Sequence, residues 1–365
     1  MYPLGDGMFA PKNQWYIAAW SGEVTRQVME RWILDEPVAL YRTEDGKVVA
    51  LAGRCPHRSY PLGRSKVVGD NIQCGYHGIT FRPDGSCAAI PSQGMAPKTC
   101  RVQSYHVAER WQWIWIWPGD PELADENKIP DLVALGISNS PNKIASGVYR
   151  YVHSRYTLMH DNLLDLTHIG FLHSNSLGAG SGSANTVPKH SSGPDWVESR
   201  FEMKSIEFPT YWQPVFNYSG PINRRFGLRF HVPCLHSGFD SFTKANDDGS
   251  DGEHLGTVMI YHAVTPARRT TSHYFLAAGH SWESDNAELA AQMLADAVVI
   301  IDEDRLATEH IEELIAHYDR PSELLLRADS VCVQGRRLLE RAIASEKAPA
   351  TNAAKSQQPA EGAAL

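Results

Sequence analysis

The sequence has no excess of positive charge. Its 34 Lys and Arg face 42 Asp and Glu, for a net charge of −8. That removes the basic footprint by which nucleic-acid-binding domains hold phosphates, so no nucleic-acid partner is expected. It also has no apolar run of about 18 residues, the length that crosses a bilayer, and no membrane association is expected. The first residues, MYPLGDGMFAPKNQWY, show neither a basic start nor an apolar segment. No export signal is expected there, and the expected location is cytoplasmic. Cysteine is scarce, six in 365 residues, which excludes a disulfide scaffold. In a reducing compartment such thiolates are free to bind metal. The glycine-rich stretch at 177–185, LGAGSGSAN, follows no clear strand and opens no obvious helix. It is therefore no dinucleotide fingerprint.

What is present reads as a globular enzyme of two domains. The first ~120 residues alternate apolar and polar, with turn signals between the runs. EPVALYRTEDGKVVALAGRC is two strands around a Glu-Asp-Gly turn. In ERWQWIWIWPGD, Trp111, Trp113, Trp115 and Trp117 alternate on one strand face before Pro118-Gly119 stops it. Such a row is expected to pack a core or an inter-domain contact. FRPDGSCAAIP reads as another turn-bounded strand pair. Residues 121–145 form a polar, proline-containing connector. From 195 to 280 the text is again strand-rich and suggests one antiparallel sheet. The longest helical stretch follows, with Ser284 or Asp285 as N-cap. The tail is poor in apolar bulk and expected to be disordered. The expected division is 1–125, 126–345 and a tail, 346–365.

The chemistry begins at CPHRSYPLGRSKVVGDNIQCGYH, residues 55–77. Cys55 and His57 make one pair; Cys74 and His77 make another. A gap of one or two residues lets both members of a pair reach one centre from a tight loop. Zinc sites tend to pair Cys with Cys and His with His. Two mixed pairs suit a diiron cluster that needs two Cys on one iron and two His on the other. Zinc binding and chance remain the competing readings. The other cysteines, Cys87, Cys100, Cys234 and Cys332, have no nearby His in a ligand pattern and read as small buried hydrophobes.

The second constellation is HDNLLDLTHIGFLH, with Asn162, Asp165, His168 and His173. His168 and His173 are five apart, so a regular helix does not align them. A helix that ends or loosens near Gly170 would bring both imidazoles to one ion. A carboxylate is still needed for a facial triad. Three acids compete in IIDEDRLATEHI. Ile300, Asp304, Ala307, Ile311 and Leu314 share one helical face, so Asp304 points inward. Asp302 shares its face with Arg305 and Glu309 and reads as solvated; Glu303 lies between. A buried carboxylate is costly unless a cation compensates it, which favours Asp304.

The spacing C-x-H-x16-C-x2-H resembles the Rieske [2Fe–2S] motif of the ferredoxin and oxygenase branch. Together with N-x2-D-x2-H-x4-H, the chain resembles the Rieske non-haem iron oxygenases. Its length and FAPKNQWYIAAW start are similar to the vanillate O-demethylase and dicamba monooxygenase branch. The resemblance implies an α+β chain: an N-terminal all-β Rieske domain, then a C-terminal helix-grip catalytic domain, an antiparallel sheet with helices. It implies a Rieske cluster on Cys55, His57, Cys74 and His77, and mononuclear Fe(II) on His168, His173 and Asp304. Asn162 would stand close to that iron. Asp165 would orient an imidazole and link His168 to His77 of the next chain in a head-to-tail homotrimer. A separate NAD(P)H-dependent flavin or iron–sulfur reductase would supply electrons. The implied reaction is O2-dependent hydroxylation of a methoxy or methyl group on an aromatic acid. Arg224, Arg225 and Arg229 are candidates to read the acid group. The rivals are a cis-dihydroxylating ring dioxygenase and a Rieske electron carrier without catalysis.

Overall fold

In the computed structural model, residues 2–131, 145–177, 186–280, 287–318 and 322–346 are described. The tail from 347, most of the glycine-rich stretch, and Ser284 and Asp285 lie outside them.

The expected alternation in the first third produces three small antiparallel sheets. The Glu-Asp-Gly hairpin forms as read, with Glu36–Arg42 paired to Val48–Ala52 and Arg42 facing Val48. Four short strands, Lys66–Val68, Asn71–Gln73, Thr80–Phe81 and Cys87–Ala89, make a second sheet. Tyr16–Trp20, Trp113–Trp117 and His106–Arg110 make a third. The tryptophan row differs from expectation in one member. Trp111 and Gln112 take left-handed backbone (φ 60° and 65°) and form the turn ahead of the strand. Trp113, Trp115 and Trp117 stay on it, and Ile114 and Ile116 between them are buried as well. Both faces of this strand are therefore covered, and a strand buried on both faces need not alternate.

That strand explains how the halves join. Trp20 stacks near Trp113 (5.2 Å between ring centroids) and meets Phe275 of the large sheet at 6.2 Å. Hydrogen bonds run across the same seam: Leu34 N–H to Pro266 O at 2.9 Å, and Thr265 Oγ1–H to Ile17 O at 2.7 Å. One apolar core thus spans both halves.

The second half is a seven-stranded antiparallel sheet. Its spatial order is Ala145–Val152, Thr271–His280, Asp251–Arg268, Leu235–Ala245, Ile222–His231, Trp196–Ile206 and Lys189–Ser192. Three substantial helices accompany it: Tyr156–Leu164, Ala287–Ile315 and Ser330–Ser345. Ion pairs fix the first against the other two. Arg336 donates to Asp161 at 2.7 Å, and Arg155 and Glu312 form a buried double hydrogen bond at 2.6 Å. The fold is α+β. Among the described residues, no helix is long and apolar enough to cross a membrane.

The long helix corrects one periodicity. Asp304 faces inward as expected, but Ile311 and Leu314 are 46% and 64% exposed. The buried face runs instead through Ile301, Asp304, Thr308 and Glu312. The helix buries polar groups that have partners (Glu312 on Arg155, Thr308 on the Asp304 carbonyl) and leaves aliphatics outside. A pattern read from hydrophobicity alone drifts by one position there.

Candidate metal centres

The two loops of the first constellation are built alike. Cys55 N–H donates to Tyr60 O, and Cys74 N–H donates to Ile79 O, five residues on in each case (3.0 and 2.8 Å). Ser59 N–H returns to Cys55 O, and Gly78 N–H to Cys74 O (2.9 and 3.0 Å). Closing each turn requires a left-handed residue at the same offset, Ser59 (φ 55°) and Gly78 (φ 72°). Like loops deliver like side chains. Cys55 and Cys74 are both buried, each 2% exposed, and lie in one apolar cluster. Burial raises the Cys55 pKa, against the His57 main-chain amide that lowers it and with the neighbouring Cys74 thiol that raises it further. His57 and His77 are exposed, with ring centroids 4.6 Å apart.

This arrangement discriminates between a single ion and a diiron cluster. Among the described residues, the triad His168, His173 and Asp304 is the group of three or more potential ligands whose donor atoms all lie within 4.8 Å of one another. Cys55, His57, Cys74 and His77 form no such group. They are too spread for one zinc, and their division into two inner sulfurs and two outer imidazoles fits a Rieske cluster.

The second constellation does converge. The helix Tyr156–Leu164 stops at Asp165 (ψ 85°), a 3-10 turn carries Leu166–His168, and one further helical turn ends at His173. The loosening falls a few residues earlier than Gly170, but its effect is the expected one. His168 Nε2 and His173 Nε2 stand 3.2 Å apart. Asp304 Oδ1 lies 3.4 Å from the first and 3.1 Å from the second. Burial disfavours the Asp304 carboxylate, but the two imidazoles outweigh it and hold its pKa below the usual carboxylate range. Two nitrogens and one oxygen of this kind suit non-haem Fe(II) with open positions.

The surroundings set both tautomers. His168 Nδ1 meets the Asp165 main-chain carbonyl, and His173 Nδ1 meets Glu303 Oε2 at 2.7 Å. Each Nδ1 therefore carries the proton and each Nε2 turns its lone pair to the centre. Sequence reasoning missed Glu303 in this role. Its signal was its place beside Asp304 on the helix, where a second acid can meet the second imidazole. Ser176 Oγ–H steadies the same carboxylate at 2.7 Å. Asp302 is solvent-side as expected, paired to Arg150 at 2.8 Å and Arg305 at 3.1 Å. Asn162 Nδ2–H donates to Asp304 Oδ1 at 3.0 Å, while its buried Oδ1 finds no partner. Asp165 differs from expectation: its carbonyl, not its carboxylate, holds His168. The carboxylate caps Thr167, accepting from Thr167 N–H at 3.0 Å.

Above the triad lies a cavity of about 180 Å³. Leu163, Phe226, Val258, Ile260 and Leu276 give it an apolar wall. Of the three candidate arginines only Arg224 lines it, and Asp240 grips that guanidinium at 2.8 and 2.7 Å. Arg225 pairs with Glu202 and Asp251, and Arg229 with Glu198 over the Trp196 ring. His262 also lines the cavity; its Nδ1 bonds Tyr274 Oη at 2.6 Å, and burial lowers its pKa to about 4.

A buried two-His, one-carboxylate site under an apolar cavity, joined to a surface diiron site, defines an oxygenase of the Rieske class. Residues 152–345 match the vanillate O-demethylase oxygenase C-terminal domain, and residues 14–106 match the Rieske [2Fe-2S] domain. The chain is 32% identical to the toluene-4-sulfonate monooxygenase system iron-sulfur subunit of Comamonas testosteroni, over 92% of this chain and 97% of that one. It is 30% identical to the vanillate O-demethylase oxygenase subunit of a Pseudomonas strain, over 92% and 96%. Dicamba monooxygenase bound to 3,6-dichlorosalicylic acid has the same fold (TM-score 0.83, 29% identity, 93% and 99% of the chains). The chain belongs to the vanillate O-demethylase-like family of Rieske oxygenases. It is a Rieske-type oxidoreductase and the terminal oxygenase component of a monooxygenase system, and its cofactors are a [2Fe–2S] cluster and a mononuclear non-haem iron.

Proposed function

We propose that the chain hydroxylates a methyl or methoxy carbon on a small aromatic acid, with O-demethylation as the net result for a methoxy substrate. The observation that carries this reading is the triad of His168, His173 and Asp304 under an apolar cavity sized for one ring. When bound, the cluster supplies electrons singly and the ferrous ion activates O2.

The chain's own residues do the rest. Cys55, Cys74, His57 and His77 would hold the [2Fe–2S] cluster. His168, His173 and Asp304, which line the cavity, would hold the mononuclear iron. Glu303 and the Asp165 carbonyl keep both Nδ1 protons, so the imidazoles bind through Nε2. Asn162 keeps Asp304 turned to the centre. The apolar wall excludes water and sets the ring over the site. The Asp240 carboxylate already neutralises Arg224, and His262 is uncharged at neutral pH. The substrate's acid group therefore meets a neutral hydrogen-bonding wall. Hydroxylation of an O-methyl carbon gives a hemiacetal, which collapses to a phenol and formaldehyde.

Residues 1–125 and 126–345 serve as the cluster and catalytic units in this reading. A separate NAD(P)H-dependent reductase in the cytoplasm delivers electrons to the exposed histidine side. A head-to-tail homotrimer places one chain's cluster beside the next chain's triad, with Asp165 between His168 and the neighbouring His77. Incubating the purified chain with a surrogate reductase, O2 and a panel of methoxybenzoates tests the reaction. Formaldehyde with the matching phenol is expected; a cis-diol carrying both oxygen atoms of labelled O2 would assign the ring dioxygenase chemistry instead.

A further inference from the structure

Of the four cysteines outside the cluster motif, Cys234 and Cys332 are buried, as expected of small hydrophobes. Cys87 and Cys100 are neither fully buried nor isolated. Both are half-buried free thiols. Cys87 begins the strand Cys87–Ala89, and Cys100 precedes a single antiparallel bridge between Arg101 and Ser86. Val102 N–H donates to Gly85 O at 2.9 Å on one side of that bridge. Carried one step to the other side, that register sets Cys87 opposite Cys100. Facing residues of an antiparallel pair have Cα atoms about 4.5–5.5 Å apart, within the ~4.4–6.8 Å that a disulfide spans.

The two side chains are neighbours, near enough for the Cys87 thiol to disfavour ionisation of Cys100. Burial, and then the Cys87 thiol, raise the Cys100 pKa to about 11, while Cys87 Sγ–H donates to Ala89 O at 3.6 Å. Residues 88–99 between them form an excursion that is exposed from Pro91 to Thr99. Its Pro91 packs against Gly78, the left-handed residue of the second cluster loop.

We propose that Cys87 and Cys100 are a redox-active dithiol, which hydrogen peroxide closes to a disulfide that clasps the 88–99 excursion beside the cluster. The Cys87 sulfur attacks one peroxide oxygen, the O–O bond breaks, and water leaves behind a sulfenic acid. The Cys100 sulfur then attacks the Cys87 sulfur, and the hydroxyl departs with the Cys100 proton as a second water. Two thiols and one peroxide thus give one disulfide and two waters. A small dithiol reverses the step by thiol–disulfide exchange. Peroxide is the two-electron reduction product of O2, so an O2-reducing protein meets it whenever reduction outruns substrate oxidation. The pair lies outside the cluster motif and does not depend on which substrate is hydroxylated.

The test uses the holoenzyme with its Rieske absorbance intact. The protein is treated with a slight excess of hydrogen peroxide, alkylated and mapped by peptide mass. The expected result is a peptide linked through Cys87 and Cys100, lighter by two hydrogen atoms. It forms in most of the chains, with the cluster absorbance retained, and dithiothreitol undoes it. Cys87→Ser and Cys100→Ser, which keep the size of the side chain, should each abolish the link. The proposal is overturned if both thiols of the wild type remain alkylatable after peroxide. It also fails if either proceeds to sulfinic acid without a linked peptide, or if the cluster bleaches before any link forms.

Discussion

The two centres of this chain solve opposite problems, and their burial shows it. At the cluster site the sulfurs are inside and the imidazoles outside: Cys55 and Cys74 are 2% exposed, while His57 and His77 stand at the surface. At the iron site the order is reversed in space. His173 and Asp304 are buried, and what opens outward is an apolar cavity rather than solvent. A centre that exchanges electrons with another protein has to present an edge. A centre that activates O2 beside a C–H bond has to exclude water. The scaffolds follow the same division. The cluster hangs on two short loops of identical hydrogen-bond pattern. The iron ligands come from an interrupted helix and a long helix tied together by the buried Arg155–Glu312 ion pair.

If the two centres are separable, breaking one must leave the other intact. The largest effect is expected from His168→Ala. Iron content should fall from about three to about two per chain, turnover should vanish, and the Rieske spectrum should be unchanged. Unchanged iron content would remove His168 from the ligand set. Asp165→Asn comes next. It should keep both metals and nearly abolish turnover if Asp165 links the centres of neighbouring chains as proposed; turnover at the wild-type level would refute the bridge. Glu303→Gln is expected to be milder, lowering iron affinity or turnover about 10- to 100-fold through a weaker hold on the His173 Nδ1 proton. Titration with a chelator reads that change, and a variant as tight as the parent would assign Glu303 no positioning role. The smallest effect on the folded chain itself is expected from Leu314→Lys on the exposed side of the long helix. Its stability should move by less than about 0.5 kcal/mol in thermal melts. Sedimentation should nevertheless show weaker assembly if that face lies between chains.

The same two regions show what a sequence makes legible. The cluster loops were readable because ligand spacing within a tight turn is local, and their residues stand within a short stretch. Asp304 was readable because a buried acid on an apolar helical stripe asks for a cation. Glu303 was not, because hydrophobic phase says nothing about which acid meets an imidazole 130 residues away. The outward turn of Ile311 and Leu314 was misread for a related reason: the helix buries Thr308 and Glu312, whose partners come from the Tyr156–Leu164 helix and its N-terminal edge. At Asp165 spacing does not separate the carbonyl, which meets His168 Nδ1, from the carboxylate, which accepts from Thr167 N–H. The nearness of Cys87 to Cys100 depends on the single bridge between Ser86 and Arg101, which no local pattern announces.

The account rests on electrons leaving the exposed cluster for the buried triad. The most direct measurement is the reoxidation of a prereduced cluster by O2, in the presence of an aromatic substrate, in wild type and in Asp304→Ala. The wild-type cluster should reoxidise rapidly with product formed in step, while the variant's cluster stays reduced and no product appears. Equal reoxidation rates in the two proteins would contradict it.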